Sequence, residues 1–125
     1  MKNFLKILMC VFALTLGGCV EDETANTSAS QSEISNNQVY FFYQTTCPHC
    51  HHAAAYIAQK YPNLKMVNLD VRQPANFNLF LKCAQKFRLA QDSLGTPLIC
   101  MGDHYIMGWS DTDAAKFDMY VQRFK

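Results

Sequence analysis

The sequence predicts an α/β fold, a four-stranded mixed sheet flanked by three helices in the order βαβ followed by αββα. Three observations carry this. An aromatic and β-branched run at Val39 to Tyr43 and a second apolar run at Leu64 to Val71 enclose an Ala-rich segment that closes at Pro62. Apolar residues at helical spacing follow Pro74, and two short apolar runs meet around Gly102-Asp103.

Val39-Tyr40-Phe41-Phe42-Tyr43 does not alternate between apolar and polar, which suits a strand buried on both faces of its sheet. His51 to Tyr61 reads as a helix with Pro62 as its stop. Leu64 to Val71 returns as a strand, and a strand–helix–strand unit of this length makes the two strands parallel with a right-handed crossover. Pro74 suits the first turn of a second helix, whose core stripe is Phe77, Phe80, Leu81, Ala84 and Phe87. Leu98 to Met101 and His104 to Met107 form a hairpin, with Gly102 as the first residue of its turn. Ser110 followed by Asp113 caps a last helix with a stripe of Ala114, Phe117, Val121 and Phe124.

At 125 residues, with 50% apolar and 17% charged side chains, the chain has room for one compact domain. Eleven basic residues oppose ten acidic ones without a basic cluster, so nucleic acid is not an expected partner. Six cysteines in so short a chain point to export or to redox and metal chemistry.

Residues 1–18 read as a signal peptide: Lys2 and Lys6, then the apolar run Ile7 to Leu16, then Gly17-Gly18. A permanent span needs about 20 apolar residues, more than this run supplies. Leu16-Gly17-Gly18-Cys19 resembles the lipobox of bacterial lipoproteins, which implies lipidation at Cys19 and a domain held at a membrane of the cell envelope, facing the periplasm. Val20 rather than Asp after the cysteine favours the outer membrane in proteins of that kind. An ordinary secretory signal is the alternative. Residues 19–38 begin with Cys19 and Val20 and from Glu21 on have Ile34 as the one large apolar side chain, so they read as a flexible tether, leaving 39–125 as the folded domain.

The order of elements, Cys47-Pro48-His49-Cys50 at the head of the first helix and Gly95-Thr96-Pro97 before the third strand together resemble the thioredoxin superfamily, with a glutaredoxin-sized core. The resemblance covers 39–125. It implies a thiol–disulfide oxidoreductase acting on protein thiols and disulfides with an unidentified redox partner, as a monomer and without a cofactor or metal. Cys47 is then the attacking thiol, since a thiolate at a helix N-terminus faces unpaired N–H groups and the positive end of the helix dipole. Cys50 resolves the intermediate, and Pro48 sets φ for the helix start. His49 offers a hydrogen bond or positive charge that stabilises the reduced form, as in the DsbA-like oxidants with the same four residues, so an oxidant is expected, with a reductase or isomerase as alternatives. Thr96 and Pro97 would form the substrate platform.

Phe41 departs from the pattern, because the resembled proteins often carry a buried acid six residues before the first cysteine. Asp70 and His104 read as strand-end residues. Cys83 and Cys100 fall on elements that pack together in the resembled fold, and a structural disulfide, two buried thiols and a second redox pair are all open. Two other readings use the same segment. Cys47, Cys50 and His51 satisfy the attachment pattern of c-type haem, with Met66, Met101 or Met107 as an axial ligand. Cys47, Cys50, His51 and His52 offer ligands for Cu(I) or Zn, although successive helical residues point about 100° apart.

Overall fold

A computed structural model describes residues 33–125, which form one compact unit. The signal segment 1–18, Cys19 and the tether as far as residue 32 lie outside the described residues. The sheet has the order β2-β1-β3-β4, built from β1 (Val39–Tyr43), β2 (Met66–Asp70), β3 (Leu98–Met101) and β4 (His104–Met107). β1 pairs in parallel with β2, and antiparallel contacts join β1 to β3 and β3 to β4. The helices are α1 (Pro48–Lys60), α2 (Pro74–Lys86) and α3 (Asp111–Tyr120). This is the expected α/β architecture and element order.

β1 lies inside the sheet and sends successive side chains to opposite faces. Val39 and Phe41 join a core with Ala53 and Ile57 of α1 and Phe117 of α3. Tyr40 and Phe42 join a second core with Phe80 and Cys83 of α2. Both faces being covered explains the unbroken apolar run. Phe42 and Phe117 are fully buried, and each such side chain contributes about 1.5–3 kcal/mol relative to an exposed one.

β2 is shorter than the Leu64 to Val71 expected. The Leu64 amide is spent on Tyr61 O, 3.1 Å away, in the turn that leaves α1. At the other end Gln73 N donates to Asp70 O at 3.1 Å and begins the turn into α2. The stripe of α2 is also corrected: Phe80 and Ala84 are buried, but Phe77 is 43% exposed, and Cys83 takes the inward position. α3 ends at Tyr120, and Val121–Phe124 continue as a 3₁₀ turn. Its tighter repeat puts Val121 and Phe124 on one side, so both still reach the core.

Gly102 adopts φ +64° in the β3–β4 turn, where a Cβ would stand 3.0 Å from an Arg123 nitrogen and 3.3 Å from Asn36 O. Its carbonyl accepts a hydrogen bond from Lys86 Nζ at 2.6 Å. Residues 33–38, the last part of the expected tether, lie against the domain. Ile34 packs on the Phe42 core, Lys82 Nζ reaches the Glu33 carboxylate at 2.9 Å, Ser35 N donates to Tyr40 OH at 3.0 Å, and Lys86 Nζ also meets Asn36 Oδ1.

α1 and α3 are fastened by one carboxylate. Asp118 accepts hydrogen bonds from Tyr56 OH at 2.8 Å, Lys60 Nζ at 2.5 Å and Tyr61 OH at 2.6 Å. Partial desolvation pushes the Asp118 carboxyl up, but the hydrogen bonds from Lys60, Tyr61 and Tyr56 outweigh it and hold the group below the ordinary range.

Candidate active site

β1 ends at Tyr43, and the Cys47 amide donates to Gln44 O at 3.2 Å as the chain turns. Cys47 then takes an extended conformation, φ −94° and ψ 108°, as the N-cap of α1, with Pro48 opening the helix. Its side chain does the work usually left to Ser or Asp: Cys47 Sγ accepts the Cys50 amide at 3.1 Å. His51 N donates to Cys47 O at 3.3 Å and closes the first turn. No acidic residue stands in that turn, so nothing there opposes a negative charge on the sulfur.

The two sulfurs differ in access. Cys47 is half-buried, whereas Cys50 is 3% exposed and packs in the core that holds Phe41 and Ala53. They are paired as a disulfide with Cα atoms 5.2 Å apart. An attacking nucleophile therefore reaches Cys47 first.

The loop before β3 brings Thr96 to the same place. Thr96 O lies 3.5 Å from Cys47 Sγ, and the Thr96–Pro97 peptide bond is cis. Pro97 is buried, and its carbonyl accepts the Gly108 amide at 2.8 Å, tying this loop to the residue after β4. Residues 49 positions apart in the chain thus share one site.

Pro48 and His49 are exposed, and no hydrogen bond joins the His49 ring to either sulfur among the described residues. His51 has a part that sequence reasoning gave it only as a metal ligand. Its Nε2 lies 2.8 Å from Thr45 O, so the ring braces the loop that delivers Cys47. Phe41, Asn68, Cys50 and His51 line a groove of about 230 Å³ on this side of α1.

Asp70 and His104 behave as strand ends. The Arg72 guanidinium binds Asp70 at 2.7 Å, and its hydrogen bonds hold that carboxyl below its ordinary value. His104 stacks on Tyr120, centroids 4.0 Å apart, beside Met101 at the end of β3 remote from Pro97. Cys83 and Cys100 are brought together across the interface of α2 and β3, Cα atoms 6.4 Å apart and paired as a disulfide, on the sheet face away from Cys50.

The haem reading meets a packed interior: Met101 is 1% exposed inside the α1 core, and Met107 packs on the opposite face. Among the described residues no three His, Cys, Asp or Glu side chains converge as a metal site would require. Their helical directions separate the ligands that the sequence places side by side.

No protein-family profile matches the chain, and no curated protein matches it in sequence. In structure it is similar to a glutaredoxin from Archaeoglobus fulgidus, with a TM-score of 0.52 and 15% identity, over 69% of this chain and 87% of that one. It is also similar to a buckwheat glutaredoxin solved with glutathione, with a TM-score of 0.51 and 14% identity, over 82% of this chain and 88% of that one. The described residues share the fold of these two structures, a four-stranded mixed sheet flanked by three helices.

Proposed function

We propose that the chain is a thiol–disulfide oxidoreductase of the bacterial cell envelope, lipid-anchored through Cys19, that donates disulfides to protein substrates from Cys47 and Cys50. The observation that carries the reading is the placement of Cys47: half-exposed, capping a helix, hydrogen-bonded by the Cys50 amide at 3.1 Å and faced by Thr96 O at 3.5 Å. Glutaredoxins of the same fold support the class of chemistry.

In the oxidising direction a client thiolate attacks Cys47 Sγ. A client–Cys47 bond forms, the Cys47–Cys50 bond breaks, and Cys50 leaves as a thiolate that takes up a proton. A second client thiolate attacks the client sulfur of this mixed disulfide and expels Cys47 as a thiolate. The client dithiol has lost two electrons and two protons, and the protein has gained two electrons. Every interaction that favours the Cys47 thiolate stabilises the reduced protein and strengthens the oxidant. The Cys50 N–H and the N-terminus of α1 supply two such interactions. His49, exposed between the cysteines, adds a third through space when it is protonated.

The test is the equilibrium reduction potential of the Cys47–Cys50 pair in a glutathione buffer, with Cys83 and Cys100 mapped separately. A value near about −120 mV identifies a disulfide donor, and one near about −270 mV overturns the direction in favour of a reductant. Mass spectrometry of the envelope-extracted chain tests the anchor: a diacylglyceryl adduct at Cys19 is expected, and an unmodified cysteine at a mature N-terminus, or cleavage elsewhere, refutes it.

A further inference from the structure

The fold gathers at one end of the domain three basic residues that the sequence scatters. Lys65 in the turn before β2, Arg123 in the 3₁₀ turn after α3, and Lys125 line one groove of about 530 Å³ with Asn37, Gln38 and Asn63, whose side chains carry uncharged amides. No Asp or Glu lines this groove. Among the described residues no ion pair occupies Lys65 or Lys125. Arg123 donates to Asn37 Oδ1 at 3.4 Å and meets a carboxylate, that of Asp103, only at 4.0 Å, where Asp103 is 80% exposed and water screens the pair. A terminal carboxylate on Lys125 would offset one of these charges and leave the lining positive.

Resting on the reading that Cys19 carries a lipid, we infer that this groove takes the phosphate of an anionic phospholipid headgroup from the membrane that holds the anchor. Two observations carry it. The first is charge. A phosphate accepts hydrogen bonds on several oxygens, and Arg, Lys and amide N–H groups are its usual donors. A zwitterionic headgroup brings its own cation to a lining that is already positive, so the groove favours a headgroup of net negative charge. The second is place. Lys65 precedes Met66, which pairs with Val39 at the start of β1, while Cys47 follows the other end of that strand. A redox partner bound at Cys47 is therefore not what the groove serves. Asn37 and Gln38, by contrast, belong to the segment that brings the chain in from Cys19. Residues 19–32, at up to about 3.6 Å each, let the domain range about 50 Å from an anchored Cys19. Within that range a weak site is filled, because tethering raises the effective concentration of headgroups.

The full chain as extracted from the envelope is placed in nanodiscs of phosphatidylcholine alone or of phosphatidylcholine with phosphatidylglycerol. A water-soluble acetylating reagent then labels exposed amines, and peptide mass mapping gives the rate at each lysine. Lys116 on α3, outside the groove, is the internal control. Glycerol phosphate added to the phosphatidylcholine discs tests a phosphate from solution.

Lys65 should be labelled about fivefold more slowly in the phosphatidylglycerol discs, the size expected for one basic residue at an anionic surface, with Lys116 unchanged. About 0.5 M salt should remove the difference. Arg123→Gln should abolish most of the protection at Lys65 and Arg123→Lys should keep it, while both variants exchange with hydroxyethyl disulfide as fast as wild type, showing that each is folded. Equal labelling of Lys65 in the two kinds of disc, with lipid found on Cys19 in the same maps, would overturn the inference while the anchor reading stands. Protection by glycerol phosphate as strong as by phosphatidylglycerol would overturn the membrane as the source. An unmodified Cys19 with Lys65 still protected by phosphatidylglycerol discs would overturn the anchor reading and leave the headgroup site in place.

Discussion

Opening the Cys83–Cys100 link removes a covalent tie between α2 and β3 while leaving the side chains that surround it in place. The two cysteines are 17 positions apart, so the link closes a short loop of the unfolded chain. In the chain-entropy account a loop of that length contributes about 3 kcal/mol. Alanine at both positions would also empty part of a packed region, since Cys83 and Cys100 are buried between Tyr40, Phe80 and Leu98. Comparing the oxidised and reduced forms of one protein avoids this second effect. The Cys47→Ala/Cys50→Ala background keeps reductant from acting on the other pair. Urea unfolding of that protein, with and without reductant, should differ by about 3 kcal/mol. For a domain of this size the melting temperature should fall on the order of 10–25 °C. A difference below about 1 kcal/mol would refute the loop argument. So would mass mapping of the unreduced protein in which both thiols are alkylated.

Asp118→Asn should separate α1 from α3 and lower stability at neutral pH. A carboxyl held below its ordinary value contributes stability above about pH 3.9 that is lost as pH falls through the folded value, so the variant should show a flatter acid limb in pH-dependent unfolding. Desolvation and the bond to Asp118 push Tyr61 up to about 12, so its contribution is whole below its unfolded value and lost as pH rises through about 12. Ultraviolet titration should find one late phenol, and Asp118→Asn should move it part of the way back. Ser110→Ala removes the acceptor for the Asp113 amide at 3.3 Å and should cost about 1 kcal/mol in urea unfolding, with Ser110→Thr close to wild type.

Much of this architecture is legible because local and long-range demands agree. A run such as Val39 to Tyr43 has no solvent face to give it, and the sheet supplies two buried ones. The hairpin is equally plain, since Gly102 takes the positive φ that its turn position demands. Helical spacing alone misplaced Phe77. Phe77 and Phe80 are both compatible with one stripe, but the fold turns Cys83 inward and leaves Phe77 exposed. Strand ends were misjudged for a related reason, as the turn bond from Leu64 to Tyr61 O competes with a pairing that composition cannot see. At the site, the motif located Cys47 and Cys50, but no sequence pattern encodes that His51 braces Thr45 O.

The fastening of residues 33–38 has a directional result. The chain enters the domain at Val39, and five residues of β1 then carry it toward Cys47. At about 3.3 Å per residue the strand sets entrance and sulfur roughly 17 Å apart, at opposite ends of the sheet. Glu33 is held at the entrance by Lys82, and Ile34 is seated on the Phe42 core. The segment that leads into β1 and the Cys47 sulfur therefore lie at opposite ends of that strand, and a molecule docking at Cys47 meets the domain away from residues 33–38.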